Sequence, residues 1–288
     1  MTRQQLTSEI FTKKTYLCVG LDTDPNRLPP HMQSSPNAVF NFNKAIIDAT
    51  KEYCVAYKIN TAFYEAQGIK GWEAMEQTVH YIPSTHFKIA DAKRGDIGNT
   101  SAQYAKAFFE TLQFDAITVA PYMGEDSIKP FLQYGDKWTI VLGLTSNAGS
   151  SNFELKKILR RTTAAEESAE LALDVASHET EYLYERVIRT VAEWGTKENL
   201  MFVVGATQPD EFTNIRNIVP NHFLLVPGVG AQGGSLKEIS ERAMTKDCGI
   251  LVNVSRDIIY NSSNENFADA AAAAALQYQL EMKTYLPH

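Results

Sequence analysis

Asp91, Lys93, Arg94 and Asp96 crowd four charges onto the exit of a short apolar run, Phe87-Lys88-Ile89-Ala90-Asp91. On an extended backbone, residues two apart point to the same face, so Asp91 and Lys93 share one. A lysine held between carboxylates stays charged and positioned, as a proton donor must be. Gly95 and Gly98 then open a loop into a helix near Asn99. The plain alternative is a solvated strand end with ordinary surface ion pairs. What favours chemistry is position, because α/β proteins build their sites at strand C-termini.

Other strand ends carry polar groups of the same promise. Lys58 sits inside the apolar stretch Val55-Ala56-Tyr57-Lys58-Ile59-Asn60. A lysine there either reaches solvent or finds a partner, and Asp91 on the next strand is the sharper choice. Asp22 follows Gly20-Leu21, where it could simply cap a turn. Ser146 stands in the polar run after Leu144. Pro227 to Gly234 is glycine-rich, and such a loop can close over a phosphate with its backbone N–H groups. In that loop Gly228 and Gln232 are the candidate binding residues. Arg256, in Asn253-Val254-Ser255-Arg256, can hold a phosphate dianion through two parallel hydrogen bonds.

These residues need a scaffold that brings strand ends together. Strands are expected at Thr15–Leu21, Cys54–Ile59, Phe87–Asp91, Asp115–Val119, Trp138–Leu144, Leu200–Val204, Phe223–Val226 and Ile250–Val254. Helical patterns lie between them, at about Ala38–Tyr53, Phe63–His80, Asn99–Gln113, Asp126–Tyr134, Pro209–Ile215 and Glu265–Lys283. The strands are continuous apolar runs, as when both faces are covered. This alternation predicts an α/β fold, a single (β/α)8 TIM barrel spanning 1–288. A doubly wound open sheet is the alternative. The stretch from Ser146 to Asn199 is too long for one connection. It predicts a helical insertion after strand five, at approximately 147–198, with a long charged helix from Ala164 to Trp194. Glu166, Glu167, Glu170 and Asp174 repeat along that helix as a solvated face or, less simply, an acidic binding surface.

The 288 residues are 44% hydrophobic and 21% charged, enough for a large core. A net charge of −7 argues against nucleic-acid binding. Cys18, Cys54 and Cys248 have no zinc-type spacing and read as buried free thiols. Residues 1–12 lack the apolar core of a signal peptide, and no run approaches a membrane span. A cytoplasmic protein without a membrane partner is expected.

The central stretch resembles the signature of the orotidine 5'-phosphate decarboxylases, Asp-x-Lys-x-x-Asp-Ile-x-x-Thr. Asp91, Lys93, Asp96, Ile97 and Thr100 meet it at every fixed position. The longer Lys-Arg-Gly-Asp-Ile-Gly-Asn-Thr wording resembles the long bacterial subgroup. The resemblance implies decarboxylation of orotidine 5'-monophosphate to uridine 5'-monophosphate and CO2, the last step of de novo UMP synthesis. It implies no cofactor and no metal, with catalysis by a charged array, Lys58-Asp91-Lys93-Asp96, in which Lys93 gives the proton. It further implies Asp22 on ribose hydroxyls, Ser146 on the pyrimidine amide, Gln232 between phosphate and base, and Arg256 on phosphate. Asp96, Ile97 and Thr100 would serve the second subunit of a homodimer. Two departures stand out. Ala148 replaces the usual proline after Ser146, and Gly230 stands where shorter members carry arginine.

Two rival readings remain. A related barrel acting on a sugar phosphate with Mg2+ would need an acidic ligand near the Asp91 strand, and Glu65 and Asp115 are available. A silent phosphate-binding protein would keep Arg256 and do no chemistry.

Overall fold

The computed structural model describes residues 1–160, 180–230 and 233–287. Five strands open the chain: β1 (Leu17–Gly20), β2 (Ala56–Asn60), β3 (Phe87–Arg94), β4 (Ala116–Val119) and β5 (Trp138–Leu144). A small antiparallel ribbon follows, β6 (Lys157–Leu159) with β7 (Thr180–Tyr182). Then come β8 (Leu200–Val204), β9 (Phe223–Pro227) and β10 (Ile250–Val254). Apart from the ribbon, all strands are parallel and close into a barrel in the order β1-β10-β9-β8-β5-β4-β3-β2. Closure rules out the open-sheet alternative.

The strands behave as their composition dictates. β8 (Leu-Met-Phe-Val-Val) and β10 (Ile-Leu-Val-Asn-Val) are buried along their whole length, with the barrel interior on one side and helices on the other. The closing helix, Phe267–Lys283, buries Ala271 and Ala275 and stacks Phe267 on Phe42 of the helix Ala38–Thr50 at 5.1 Å. Its small alanines allow that close approach.

Several expectations need correction. The sequence places the end of the third strand at Asp91, but β3 continues to Arg94 through an irregularity opposite β4. The expected helix Phe63–His80 is two helices, Thr61–Glu65 and Ile69–Tyr81, broken at Gly68 with φ +64°. The expected helix Ala164–Trp194 does not run through its later part. Thr180–Tyr182 is extended and pairs with β6, and the helix there is Leu183–Ala192. Buried Glu181 anchors this segment by accepting from Arg186 and Arg189. Glu166, Glu167, Glu170 and Asp174 lie outside the described residues. An unanticipated helix, Arg3–Lys13, starts with a capping box between Thr2 and Gln5 and buries Leu6 and Ile10. Cys18, Cys54 and Cys248 are buried free thiols. No helix among the described residues is long and apolar enough to cross a membrane.

Candidate active site

Parallel register sets the C-terminal ends of β1, β2 and β3 side by side. Gly20 is level with Lys58, and Asn60 is level with Asp91. Lys58 is therefore carried inside the barrel mouth, with 4% of its surface exposed. Its Nζ donates to Asp91 Oδ2 at 2.9 Å and lies 3.6 Å from Asp22 Oδ1. On the other side Lys93 Nζ donates to Asp91 Oδ1 at 2.6 Å. Asp91 thus links two ammonium groups, one buried and one half-exposed.

The charges hold one another. Burial disfavours charge on Lys58, but the carboxylates of Asp22 and Asp91 overcome it and raise its pKa above the ordinary lysine value. Burial likewise disfavours ionised Asp91, and Lys58 and Lys93 outweigh it, holding the carboxyl well below the usual carboxylate range. The linkage to stability follows. Because Asp91 titrates lower folded than unfolded, its contribution is complete above about pH 5 and is lost as pH falls below about 4. Lys58 has the opposite sign. Its contribution is complete below about pH 10 and is lost only as pH rises further. Urea denaturation between pH 5 and pH 3 should therefore show falling stability, with a shallower slope in Asp91→Asn. An equal slope in the two proteins would contradict this.

Lys93 reaches Asp91 from an unusual backbone. Ala90 pairs with Ile117 and Arg94 with Val119, so residues 91–93 oppose Thr118 alone. The excess bulges out, and Lys93 takes φ +47°. That left-handed conformation costs a non-glycine residue roughly 1–2 kcal/mol. Arg94 anchors the far side of the bulge, pairing with Glu65 and donating to Ala92 O at 3.1 Å. Its guanidinium also lies over the rings of Tyr104 and Phe108, 5.4 Å from each centroid.

A cleft of about 200 Å³ opens over Asp22, Lys58 and Asp91, and Lys93 is not among its lining residues. Asp22, Lys58, Asn60 and Asp91 line one side. Gly228 and Arg256 line the other, from the loops after β9 and β10. Asp22 Oδ1 is buried and has no hydrogen-bond partner among the described residues. Its backbone is fixed by Tyr260, whose hydroxyl donates to Asp22 O at 3.2 Å and accepts from Asp24 N at 2.7 Å. Arg256 is exposed and forms no ion pair among the described residues. Ser255 ties that strand end to β1 by donating to Gly20 O at 3.0 Å. Gly228 has φ +101°, and its carbonyl accepts from Gly234 N at 3.1 Å, closing the loop into a narrow turn. Gln232 lies outside the described residues.

Ser146 stands at the same end of the barrel but is not among the cleft-lining residues. A Cβ on Gly205 would come within 2.6 Å of Ser146 N, so the bare glycine lets this loop cross the end of β8. The proline missing at position 148 has a substitute. Glu154 accepts from Thr145 N at 2.7 Å and from Thr145 Oγ1 at 2.9 Å, clamping the loop from beyond.

Asp96 does not join the array within one chain. No ion pair connects it to Lys93, and its Oδ1 accepts from Ile97 N at 2.8 Å. Ile97 is 56% exposed at the start of the helix Gly98–Lys106, and Thr100 is exposed in its first turn. Glu65 and Asp115, the acidic residues considered for a metal, are both engaged. Glu65 pairs with Arg94, and Asp115 accepts from the Met1 amino group at 2.7 Å.

Two cleft neighbours escaped sequence reasoning. Asn253 lines the cleft with 7% exposure, and its Oδ1 is buried without a hydrogen-bond partner among the described residues. Thr118 touches both Asp91 and Lys93 from β4. A polar residue in the apolar β10 run was the available signal for the first. Thr118 gave none, being an ordinary β-branched strand residue.

The model of the orotidine 5'-phosphate decarboxylase / HUMPS family matches residues 15–271. A protein of Bacteroides fragilis named orotidine 5'-phosphate decarboxylase is 53% identical over 289 aligned positions, covering 99% of this chain and 98% of its own. The structure of Leishmania donovani OMP decarboxylase superposes with a TM-score of 0.76 at 32% identity, covering 99% of each chain. That of Leishmania donovani UMP synthase gives 0.79 at 35%, covering 98% of this chain and 55% of that one.

Proposed function

The chain belongs to the orotidine 5'-phosphate decarboxylase family, and from that premise we propose that it converts orotidine 5'-monophosphate to uridine 5'-monophosphate and CO2 with Lys93 as the proton donor. The observation that carries this reading is the run Lys58–Asp91–Lys93, whose Lys58 and Asp91 line one cleft together with Arg256 while Lys93 is tied to it through Asp91.

Breaking the bond from C6 to the carboxylate leaves its electron pair in a ring sp2 orbital, with no conjugated sink. The charge has to be met electrostatically and then by a proton. In this reading Asp91 faces the substrate carboxylate, and that like-charge contact is relieved as CO2 departs. The Lys93 ammonium stabilises the developing carbanion and transfers one proton from Nζ to C6. Lys93 is half-exposed, so its neutral amine recovers a proton from solvent. Lys58, neutralised by Asp22 and Asp91, keeps the array charged and in register. Asp22 Oδ1, which has an ionic contact to Lys58 but no hydrogen bond among the described residues, is an acceptor suited to a ribose hydroxyl. Arg256 would take the phosphate with backbone N–H groups near Gly228, and Gln232 would bridge phosphate and base. Ser146 would reach the pyrimidine amide after movement of its loop. Phosphate binding remote from C6 supplies energy that can be spent on closure.

Asp96 and Thr100 would complete the site of a second copy. Ile97 at 56%, Tyr122 at 92% and Met123 at 47% exposure form the apolar surroundings expected of a buried homodimer contact.

The test is to mix orotidine 5'-monophosphate with purified protein in EDTA and follow its ultraviolet absorbance, identifying the product chromatographically. A fall with uridine 5'-monophosphate as product is expected. No change in a folded protein that still binds uridine 5'-monophosphate would favour the silent binder. No change and no binding of uridine 5'-monophosphate would favour the Mg2+-dependent sugar-phosphate reading.

A further inference from the structure

We propose that Thr118 is a positioning residue for this reaction, its hydroxyl fixing Lys93 and Asp91 in their productive relation. The inference rests on the reading of Lys93 and Asp91 given above.

Thr118 is fully buried on β4, alone opposite residues 91–93 of β3. The Lys93 N–H lies within the bulge, where it donates to Thr118 Oγ1 at 2.9 Å. The same oxygen is 3.0 Å from Asp91 Oδ1. Hydrogen-bond direction is forced here. An amide N–H can only donate and an ionised carboxylate can only accept, so the hydroxyl accepts from Lys93 and gives its single proton to Asp91. The hydroxyl's only proton and one of its lone pairs are then in use, and no other side chain among the described residues joins these two groups in this way.

Three bonds therefore form a closed loop: Lys93 N to Thr118 Oγ1, Thr118 Oγ1 to Asp91 Oδ1, and Lys93 Nζ back to Asp91 Oδ1. The loop fixes the Lys93 backbone in its left-handed conformation and one end of its side chain. It also fixes the carboxylate oxygen to which the ammonium is tied. Without the hydroxyl, the Lys93 N–H is left unpaired, and the strained bulge is free to relax towards ordinary pairing. The ammonium then shifts relative to C6, and misplacement of about 1 Å can cost a reaction about 100-fold.

The decisive substitution is Thr118→Val, which keeps shape and removes the hydroxyl. It should lower kcat for orotidine 5'-monophosphate by about 10- to 100-fold. KM and the affinity for uridine 5'-monophosphate should stay within about threefold, because phosphate and ribose are held elsewhere. Thr118→Ser, which restores the hydroxyl, should recover most of kcat. A kcat within twofold of wild type in Thr118→Val would overturn the proposal. So would parallel loss of kcat and product affinity, which marks general damage to the site. Thr118→Ala is the second hydroxyl-free variant. Failure of both to fold while Thr118→Ser folds would assign the hydroxyl to stability alone and overturn the positioning role. A wild-type protein without turnover would instead refute the underlying reading, an outcome separate from these.

Discussion

Lys93→Ala will lower kcat by about 10⁴-fold or more while the barrel stays folded and still binds uridine 5'-monophosphate. The magnitude follows from what one side chain supplies. General acid transfer alone contributes up to about 10⁴-fold, and this ammonium also stabilises the carbanion before the proton moves. The fold is insulated from the change. Lys93 is half-exposed, and only one of the three bonds of the loop comes from its ammonium, while the bonds from its N–H to Thr118 and from Thr118 to Asp91 remain. Circular dichroism and product binding check the fold, and steady-state turnover checks the chemistry. Turnover within tenfold of wild type would remove Lys93 from the mechanism.

Asp91→Asn should be damaging in two ways. The carboxamide has one acceptor, whereas Asp91 uses both oxygens, Oδ2 for Lys58 and Oδ1 for Lys93 and Thr118. One donor must then face an NH2 group. Lys58 is 4% exposed and keeps only Asp22, 3.6 Å away, as an ionic partner. Breaking a buried pair by removing one partner costs about 3–5 kcal/mol. Stability at pH 7 should fall by that order in urea titrations. Turnover should fall by about 10³-fold or more, as the lysine loses its tether and the substrate carboxylate its opposing charge. Unchanged stability would show that Lys58 finds its compensation elsewhere.

The barrel was readable because its strands are uninterrupted apolar runs. Trp138–Leu144, Leu200–Val204 and Ile250–Val254 have the bounds expected of them. The pairing of Lys58 with Asp91 was readable too, since a lysine in an apolar strand demands a counter-charge. The Lys93 bulge was not. It is created by pairing between β3 and β4, and neither strand shows it alone. Thr118 was hidden for the same reason, its role existing only opposite the bulge. The initial helix escaped notice although Thr2 and Gln5 form a capping box and Leu6 and Ile10 share a face. The loop after β5 shows how one function can change hands. Where a proline would stiffen the chain, Glu154 ties Thr145 from nine residues away, a contact that local pattern does not encode. Asp96, Ile97 and Thr100 matched the signature, yet within one chain Asp96 bonds Ile97 N and not the array, and Ile97 and Thr100 are exposed.

The central claim is that an ammonium group at position 93 performs the chemistry. Lys93→Cys followed by aminoethylation of the new thiol tests it most directly. The native thiols do not compete: Cys18, Cys54 and Cys248 are fully buried, and burial raises each thiol pKa, Cys54 and Cys248 to about 12. A cysteine at the half-exposed position 93 is open to the reagent. The account predicts no measurable turnover before modification and substantial recovery once the side chain again ends in an ammonium. Turnover in the unmodified variant would contradict it. So would a modified protein that binds uridine 5'-monophosphate as wild type does and still releases no CO2.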